Sequence, residues 1–320
     1  MYTQAVTSHL SESSRKQFKN QSMGITKDQL TIVIPVKNEE LAISPVIDEL
    51  LEEGYSNILV VDGYSIDKTA QILLEKQTVS FIQQHGKGKT GAIKTAIENV
   101  STPYLLILDG DYTYQAKDIQ RLLNHCANYA QVIGVRDRSN ISLIHRFGNR
   151  IITKSFNLLM GTNLSDICSG MYLLKTEVAK SIEFGSRNFA VEVEIAAQTA
   201  AEHQVTEVPI GYRSRIGKPK LSWRNGFEIL SSVVSLARKY NPILLFSAFS
   251  LLSIIPAVSI LAWVTFSELV LGVWHSGWAL MGVMLLLFAS QAFAVGTMAL
   301  VLKRTEKRII QRVGLARKNE

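Results

Sequence analysis

Short apolar strands alternate with helices from Leu30 to position 135, and no other feature constrains the fold of this chain as much. Strands separated by helices need crossover connections, which place the strands parallel in one sheet with helices on both faces. The sequence therefore predicts a doubly wound α/β domain with a mainly parallel sheet. The predicted strands are 30–36, 57–62, 79–83, 104–109 and 131–135, and the predicted helices are 40–53, 67–76, 88–100 and 116–127.

Acidic residues follow three of these strands at the point where each strand ends. Asp109 and Asp111 come directly after a buried run, and strand alternation turns both carboxylates to the same side. Such oxygen ligands suit Mg²⁺ or Mn²⁺ carrying a diphosphate. Glu39 follows the first strand and Asp62 the second. Taken singly, each turn is more often a cap or an ordinary turn, but three on one sheet edge favour a nucleotide site.

A turn rich in glycine and lysine, 86–91, precedes the third predicted helix. Its amides and the ammonium of Lys89 can approach phosphate groups. The turn is not a P-loop, because that motif needs a glycine near position 83, where this chain has Ile82 and Gln83. We therefore reject an ATPase.

Two segments are long and apolar enough to cross a bilayer. Residues 243–266 and 278–302 contain no charged side chain, and about 20 helical residues span the hydrocarbon layer. We predict a two-helix transmembrane hairpin at the carboxyl-terminal side of the α/β domain. A buried hairpin in a soluble protein is the alternative.

Basic residues flank these two segments on one side only. Arg238 and Lys239 precede the first segment and a basic tail follows the second, whereas the connecting loop, 267–277, has no Lys or Arg. By the positive-inside rule, the α/β domain and both termini are predicted to be cytoplasmic. The tail supplies most of the net charge of +7, so anionic membrane lipids are the implied partner and no nucleic acid is needed.

The predicted regions are a flexible leader (1–28), the α/β domain (29–240), the two membrane helices (241–302) and the basic tail (303–320). The leader lacks the apolar core of a signal peptide. Within the α/β domain, 141–161 is a basic amphipathic helix that either lies in the membrane interface or packs on the core. A second such candidate is 222–240. Cys126 and Cys168 are expected to be reduced thiols.

Six motifs, in this order and spacing, resemble the inverting family 2 glycosyltransferases of the GT-A fold. They are IPVKNEE, VVDGYSIDKT, GKGKTGA, LDGDYTY, DICSGMYLLK and EVPIGYRSRIGKPKL. The most similar subgroup is the dolichyl-phosphate (polyprenyl-phosphate) hexosyltransferases, over residues 30–240. The resemblance implies a metal-dependent (Mg or Mn), inverting transfer of a hexose from a UDP- or GDP-linked sugar to polyprenyl or dolichyl phosphate.

The resemblance also assigns roles to individual residues. Those expected to act in catalysis or to hold the lipid phosphate are Asp111, Arg136, Arg146, Arg150 and Asp166. Those expected to bind the donor or its metal are Pro35, Lys37, Glu39, Asp62, Asp109, Ser169, Arg215 and Lys220, together with Lys89 from the glycine-rich turn. Asp109 and Asp111 are the expected metal ligands, while Gly170 and Gly217 belong to the acceptor-side element and the donor loop.

Two positions depart from the family pattern. Gly63 stands where a second Asp is usual, and Thr113 where a Gln often follows the acidic motif, so the nucleotide base and the further metal ligands stay open.

A phosphate acceptor is already ionised at neutral pH and needs no general base.

Two further hypotheses remain open at this stage. A glycosyltransferase acting on a glycolipid hydroxyl would need a base, for which Glu192 or Glu194 is available. The other hypothesis is a non-catalytic, membrane-anchored scaffold that binds nucleotide. The membrane helices also offer a surface for homo-oligomers.

Overall fold

The computed structural model describes residues 25–185, 191–217 and 242–318, with isolated positions 231 and 235. The chain divides into two compact units, of which the first holds every strand and the second the two long apolar helices. Most of the predicted leader and of the amphipathic candidate at 222–240 lies outside the described residues. The predicted domain boundaries therefore stay predictions.

Seven strands form one mixed sheet in the order β3-β2-β1-β4-β6-β5-β7. Every pair is parallel except the two made by β6, which runs antiparallel to β4 and to β5. The mainly parallel α/β sheet predicted from the sequence is confirmed. The strands are β1 (Leu30–Val36), β2 (Ile58–Asp62), β3 (Ser80–Gln83), β4 (Tyr104–Leu108), β5 (Gln131–Arg136), β6 (Met171–Lys175) and β7 (Val205–Ile210).

Helices cover both faces of this sheet, as its buried strands require. The predicted helix 116–127 is too long, because a 3-10 turn opens it and hydrogen bonds from His125 and Cys126 to residues three positions back close it as turns. The helices of the first unit are α1 (Ile43–Glu52), α2 (Thr69–Glu75), α3 (Gly88–Asn99), α4 (Ile119–Leu123), α5 (Leu143–Met160), α6 (Thr176–Lys180) and α7 (Val191–Glu202).

The core lies between the central strands and the helices that cross them. In β1, Ile32 and Ile34 are fully buried, and α1 turns Ile43, Ile47 and Leu50 onto the same cluster. Their spacing of three and four residues is the apolar stripe of a helix packed on a sheet. This core holds the carboxyl ends of β1, β2 and β4 side by side at one edge.

The second unit is a hairpin of α8 (Pro242–Leu271) and α9 (Ser276–Lys318). Two segments are apolar and long enough to cross a membrane, Phe246–Leu271 and Ser276–Ala299, each with a mean hydropathy of 2.0. The helices approach closely at Gly282, where an added Cβ would lie 2.7 Å from Leu261 Cγ. Both helices are longer than predicted. Helix α8 extends to Leu271, and α9 continues through the basic stretch to Lys318. The two-helix hairpin is confirmed, while membrane orientation stays a prediction.

Candidate active site

Asp109 leaves β4 at the centre of the sheet and pairs with a lysine from the glycine-rich turn. Its Oδ1 is 2.5 Å from Lys89 Nζ, and the same ammonium is 2.5 Å from Glu192 Oε1. Burial opposes the charge on Lys89, but Asp109 and Glu192 outweigh that effect and hold its pKa well above the ordinary value. Lys89 is therefore a permanent cation beside the acidic motif.

Asp111 is held by an arginine from the other end of the domain. Arg215 Nη1 donates to Asp111 Oδ2 at 2.7 Å, and its second terminal nitrogen donates to Glu39. Thr113 Oγ1 donates to the other oxygen of Asp111 at 2.6 Å. In the described residues Asp111 and Glu39 thus share one guanidinium group.

The side chain of Asp109 rests on Gly170, at the entry to β6. An added Cβ on Gly170 would lie 1.9 Å from Asp109 Oδ2, so this position has no room for a side chain. The backbone amide of Asp109 donates to Gly170 O at 3.2 Å, and Gly170 N donates to Tyr114 Oη at 2.6 Å. Burial raises the pKa of Tyr114, so its hydroxyl stays protonated. Gly170 fixes the position of Asp109.

The segment 211–217 runs along the acidic motif and carries Arg215. Arg213 N donates to Thr113 O at 2.8 Å, and Ile216 N donates to Asp111 O at 3.3 Å. The guanidinium of Arg213 also bonds Glu49 Oε2 at 2.8 Å and lies 3.8 Å from the centre of the Tyr112 ring. Gly217 ends the described part of this loop, and Lys220 lies outside the described residues.

The predicted nucleotide residues lie at the carboxyl ends of β1 and β2. Gly63 N donates to Val36 O at 2.8 Å, which ties the two strand ends together. Asp62 is buried, and its carboxylate accepts the backbone N–H of Ser65 at 3.0 Å. The structure brings four predicted residues to this edge: Pro35, Lys37, Glu39 and Asp62.

Arg136 and Asp166 form a buried, two-pronged ion pair on the other side of the motif. Arg136 Nε and Nη2 each donate to an Asp166 oxygen at 2.7 Å. Glu207 from β7 accepts the backbone N–H of Ser165 at 2.7 Å and that of Asp166 at 2.9 Å. Arg136 is therefore fixed by Asp166, and the loop before β6 is fixed by Glu207. Ser169, in the same loop, is buried.

A small cavity brings two predicted arginines to this pair. Arg146 and Arg150 of α5 line it together with Asp166. The full lining is Ile141, Arg146, Asn149, Arg150, Ser165 and Asp166. Guanidinium and amide donors converging on one cavity are suited to an anionic group such as a phosphate.

The helix α5, predicted over 141–161, packs on the domain, while its membrane-interface alternative stays a prediction. Ile152 and Phe156 are buried against the domain, whereas Phe147, Ile151 and Leu158 on the opposite face are exposed. The helix is therefore packed on the core and still presents an apolar surface.

Comparison with known proteins identifies the family. The model described as glycosyl transferase family 2 matches residues 31–182. A glycosyltransferase named AglJ, from Haloferax volcanii, is 30% identical over 284 residues, which cover 86% of this chain and 93% of that protein. The chain belongs to glycosyltransferase family 2.

Other similar proteins agree with this assignment. A dolichyl-phosphate hexose transferase from Haloferax volcanii is 27% identical and covers 66% of this chain and 95% of its own length. Among solved structures, glucosyl-3-phosphoglycerate synthase from Mycobacterium tuberculosis, crystallised with Mn²⁺, UDP-glucose and phosphoglyceric acid, aligns with a TM-score of 0.55 at 16% identity. The alignment covers 67% of this chain and 85% of that chain. That likeness concerns the fold.

This family 2 glycosyltransferase offers two carboxylates to a divalent cation. Among the described residues, no group of three or more His, Cys, Asp or Glu side chains comes together as a metal cage. A hard cation that keeps several waters and substrate oxygens needs only one or two protein carboxylates. Asp109 and Asp111 fit such a cation if it replaces Lys89 as the partner of Asp109 and Arg215 as the partner of Asp111.

Sequence reasoning missed several residues that shape this glycosyltransferase site. From the sequence, Glu192 is either a base or a residue of the helix surface, although its place between Val191 and Val193 was a usable signal of burial. The partners of the motif residues carried no local signal, because they lie far away in the chain. They are Glu49, Tyr114, Glu207 and Arg213.

Proposed function

We propose that the chain transfers one hexose from a UDP- or GDP-linked donor to polyprenyl (dolichyl or undecaprenyl) phosphate, with inversion at the anomeric carbon. The observation that carries this proposal is the cavity lined by Arg146, Arg150 and Asp166, in the loop whose Gly170 contacts Asp109 of the acidic motif. The two arginines offer guanidinium donors to an acceptor phosphate, and the acidic motif offers carboxylates to the metal of a donor diphosphate. The relative named dolichyl-phosphate hexose transferase supports the same acceptor.

The reaction needs no proton abstraction from the acceptor. The second pKa of a phosphate monoester is near 6, so a phosphate oxygen is anionic at neutral pH. That oxygen forms a bond to the anomeric carbon while the bond from that carbon to the nucleoside diphosphate breaks. Arg146 and Arg150 hold the phosphate in line for attack, and this orientation is their contribution to the rate.

The donor side must stabilise charge on the departing diphosphate. A divalent cation, Mg²⁺ or Mn²⁺, bound by Asp109 and Asp111 would neutralise most of the negative charge on the diphosphate. Lys89 and Arg215, already beside these carboxylates, are placed to contact diphosphate oxygens. The residues at the ends of β1 and β2, including Asp62, are assigned to the nucleoside.

The two apolar helices support attachment to a membrane, the compartment in which a polyprenyl phosphate resides. We assign Phe246–Leu271 and Ser276–Ala299 as membrane spans, with the catalytic unit and both termini in the cytoplasm. The basic residues after the second span then face anionic lipid headgroups. Self-association through the membrane helices belongs to the same proposal.

A product analysis tests the function directly. Membranes that contain the protein are incubated with polyprenyl phosphate, Mg²⁺ or Mn²⁺ and a panel of UDP- and GDP-hexoses, and the lipid products are identified by mass. We expect one sugar added through a phosphodiester and loss of the product when metal is chelated. Absence of a glycosylated polyprenyl phosphate with every donor would refute the proposal.

A glycolipid hydroxyl is the rival acceptor, and one observation favours it. Burial raises the pKa of Glu192, with Asp109 adding to the effect and Lys89 opposing it, and a raised carboxyl pKa suits a general base. The two acceptors give different pH–rate profiles. With a hydroxyl acceptor, the acidic limb of the pH–rate profile reports ionisation of the base and is lost in Glu192→Gln. With a phosphate acceptor, the acidic limb reports ionisation of the phosphate and is retained in Glu192→Gln.

A further inference from the structure

Lys89 lies between two carboxylates, and only one of them belongs to the acidic motif. Its Nζ is 2.5 Å from both Asp109 Oδ1 and Glu192 Oε1. The side chain of Lys89 is 14% exposed and that of Glu192 7%. With so little water around them, these two charges depend on each other for stabilisation.

The helix ends show why Lys89 needs a second partner. Lys89 lies in the first turn of α3, and Glu192 in the first turn of α7. The positive end of a helix dipole favours the carboxylate of Glu192 but opposes the ammonium of Lys89. A lysine at this position requires a counter-ion, and Glu192 is one that remains when Asp109 binds another cation.

Tyr172 adds an unpaired hydroxyl to the same cluster. The residue is 1% exposed, and within the described residues its buried oxygen has no hydrogen-bond partner. Glu192, Lys89 and Asp109 all contribute to its electrostatic surroundings. A buried hydroxyl without a partner is unfavourable. The cluster is therefore completed by a further polar atom, as a bound ligand or water would provide.

We propose that Glu192 is a positioning residue that holds the ammonium of Lys89 in the site when a divalent cation and the donor diphosphate engage Asp109. The inference rests on the proposed function. A divalent cation at Asp109 repels Lys89, and a lysine side chain is flexible enough to turn away. Anchored by Glu192, Lys89 stays as a fixed positive charge for the diphosphate. Glu192 then acts through Lys89 and does not accept a proton from the acceptor.

A double-mutant cycle on the full chain in detergent tests this role. Calorimetry measures the binding of UDP and of GDP, each with Mn²⁺, to the wild type, Glu192→Gln, Lys89→Met and the double variant. We expect each single variant to weaken binding about tenfold, the loss of one charge-assisted contact. The double variant should bind no worse than Lys89→Met, because Glu192 has no separate effect. Glu192→Asp should recover part of the affinity.

Glu194→Gln is the matched control on the same helix. Glu194 is 8% exposed, and its Oε1 accepts a hydrogen bond from Gly185 N at 2.8 Å. The side-chain oxygen of a glutamine can accept the same hydrogen bond. Its nucleotide affinity should equal that of the wild type. If Glu192→Gln fails to fold in thermal unfolding measurements, Glu192→Asp combined with Lys89→Met completes the cycle.

The outcomes separate this inference from the proposed function. Unchanged nucleotide binding in Glu192→Gln, or additive losses in the double variant, would overturn the positioning role. Loss of the acidic limb of the pH–rate profile in Glu192→Gln would make Glu192 the base and also overturn it. A wild type that binds either nucleotide with Mn²⁺ but never glycosylates polyprenyl phosphate contradicts only the proposed acceptor. A wild type that binds neither nucleotide contradicts both proposals.

Discussion

The two sides of the acidic motif carry opposite surpluses of charge. On the donor side, four carboxylates (Asp109, Asp111, Glu39 and Glu192) face two cations (Lys89 and Arg215), an excess of two negative charges. On the acceptor side, Arg146 and Arg150 face a cavity beside Arg136 and Asp166, which already neutralise each other. The charge on the first side favours a divalent cation, and the charge on the second favours an anion.

In the proposed function, this difference lets one sheet edge bind two anionic substrates at separate places. Under the proposed function, a diphosphate binds the donor side only together with its metal, because the carboxylates there repel a bare anion. A phosphate monoester needs no metal on the acceptor side. The predictions below test each side separately, and the loop that joins them.

Asp111→Asn should cause the largest loss. The substitution keeps the volume of the side chain but removes a charge from the metal motif, so turnover should fall about 10²-fold to 10³-fold. Steady-state transfer at saturating Mg²⁺ or Mn²⁺ measures the effect. Asp48→Asn, at an exposed surface pair with Lys76, is the control and should retain activity. Near-wild-type turnover of Asp111→Asn would remove the metal from the proposed mechanism.

Gly170→Ala should displace Asp109 and lower turnover about 10²-fold, the usual effect of a misplacement on the order of 1 Å. Gly148→Ala is the matched control, since nothing lies within 4 Å of its added Cβ. In helix α5 this change should leave turnover intact and raise the free energy of unfolding by about 0.5–1 kcal/mol. Thermal unfolding and transfer assays on both variants provide the comparison. Equal activity of the two would show that Gly170 does not position Asp109.

Arg146→Ala and Arg150→Ala should weaken the acceptor side alone. Each removes a guanidinium from the cavity, so the KM for polyprenyl phosphate should rise about tenfold while nucleotide affinity stays unchanged. Lipid-dependent transfer is measured together with nucleotide calorimetry. Arg121→Ala, whose side chain is 58% exposed, is the control. A parallel fall in nucleotide affinity would assign these arginines to the donor side and contradict the comparison.

Alkylation of Cys168 should have the smallest effect on transfer activity. Burial raises the pKa of its thiol to about 12, with Asp166 adding to the shift, and only the thiolate reacts quickly with alkylating agents. At pH 8 the folded protein should therefore be modified far more slowly at this position than after unfolding, with no loss of transfer activity. Mass spectrometry after a timed exposure measures the extent. Rapid labelling in the native state would show that the loop before β6 opens.

The sequence predicts the donor half of the sheet far better than the acceptor half. Strands β1 to β4 follow one another with helices between them, so the order of apolar runs along the chain predicts parallel strands in one sheet. Strand β6 lies between β4 and β5 in the opposite direction, and neither its place nor its direction can be inferred from its five residues, Met171–Lys175. The strands β6 and β7 were not predicted for this reason.

The same limit applies to the site. The acidic motif could be located because Asp109 and Asp111 adjoin a buried strand. Its partners could not, since Arg215 lies 104 positions from Asp111 and Arg213 lies 164 positions from Glu49. Such pairs depend on how the chain folds back across the sheet, and periodicity carries no information about them.

The reversed direction of β6 has a consequence for exchanging parts between related enzymes. Because β6 starts where β4 ends, the loop that carries Asp166 and Gly170 is bonded directly to Asp109. A chimera that replaces the acceptor-side loop must therefore keep a glycine at position 170 and the register of Leu108 with Met171. New acceptor preferences are better sought at the positions of α5 that line the cavity, with Asn157 kept, because its side chain bonds Leu164 in the same loop.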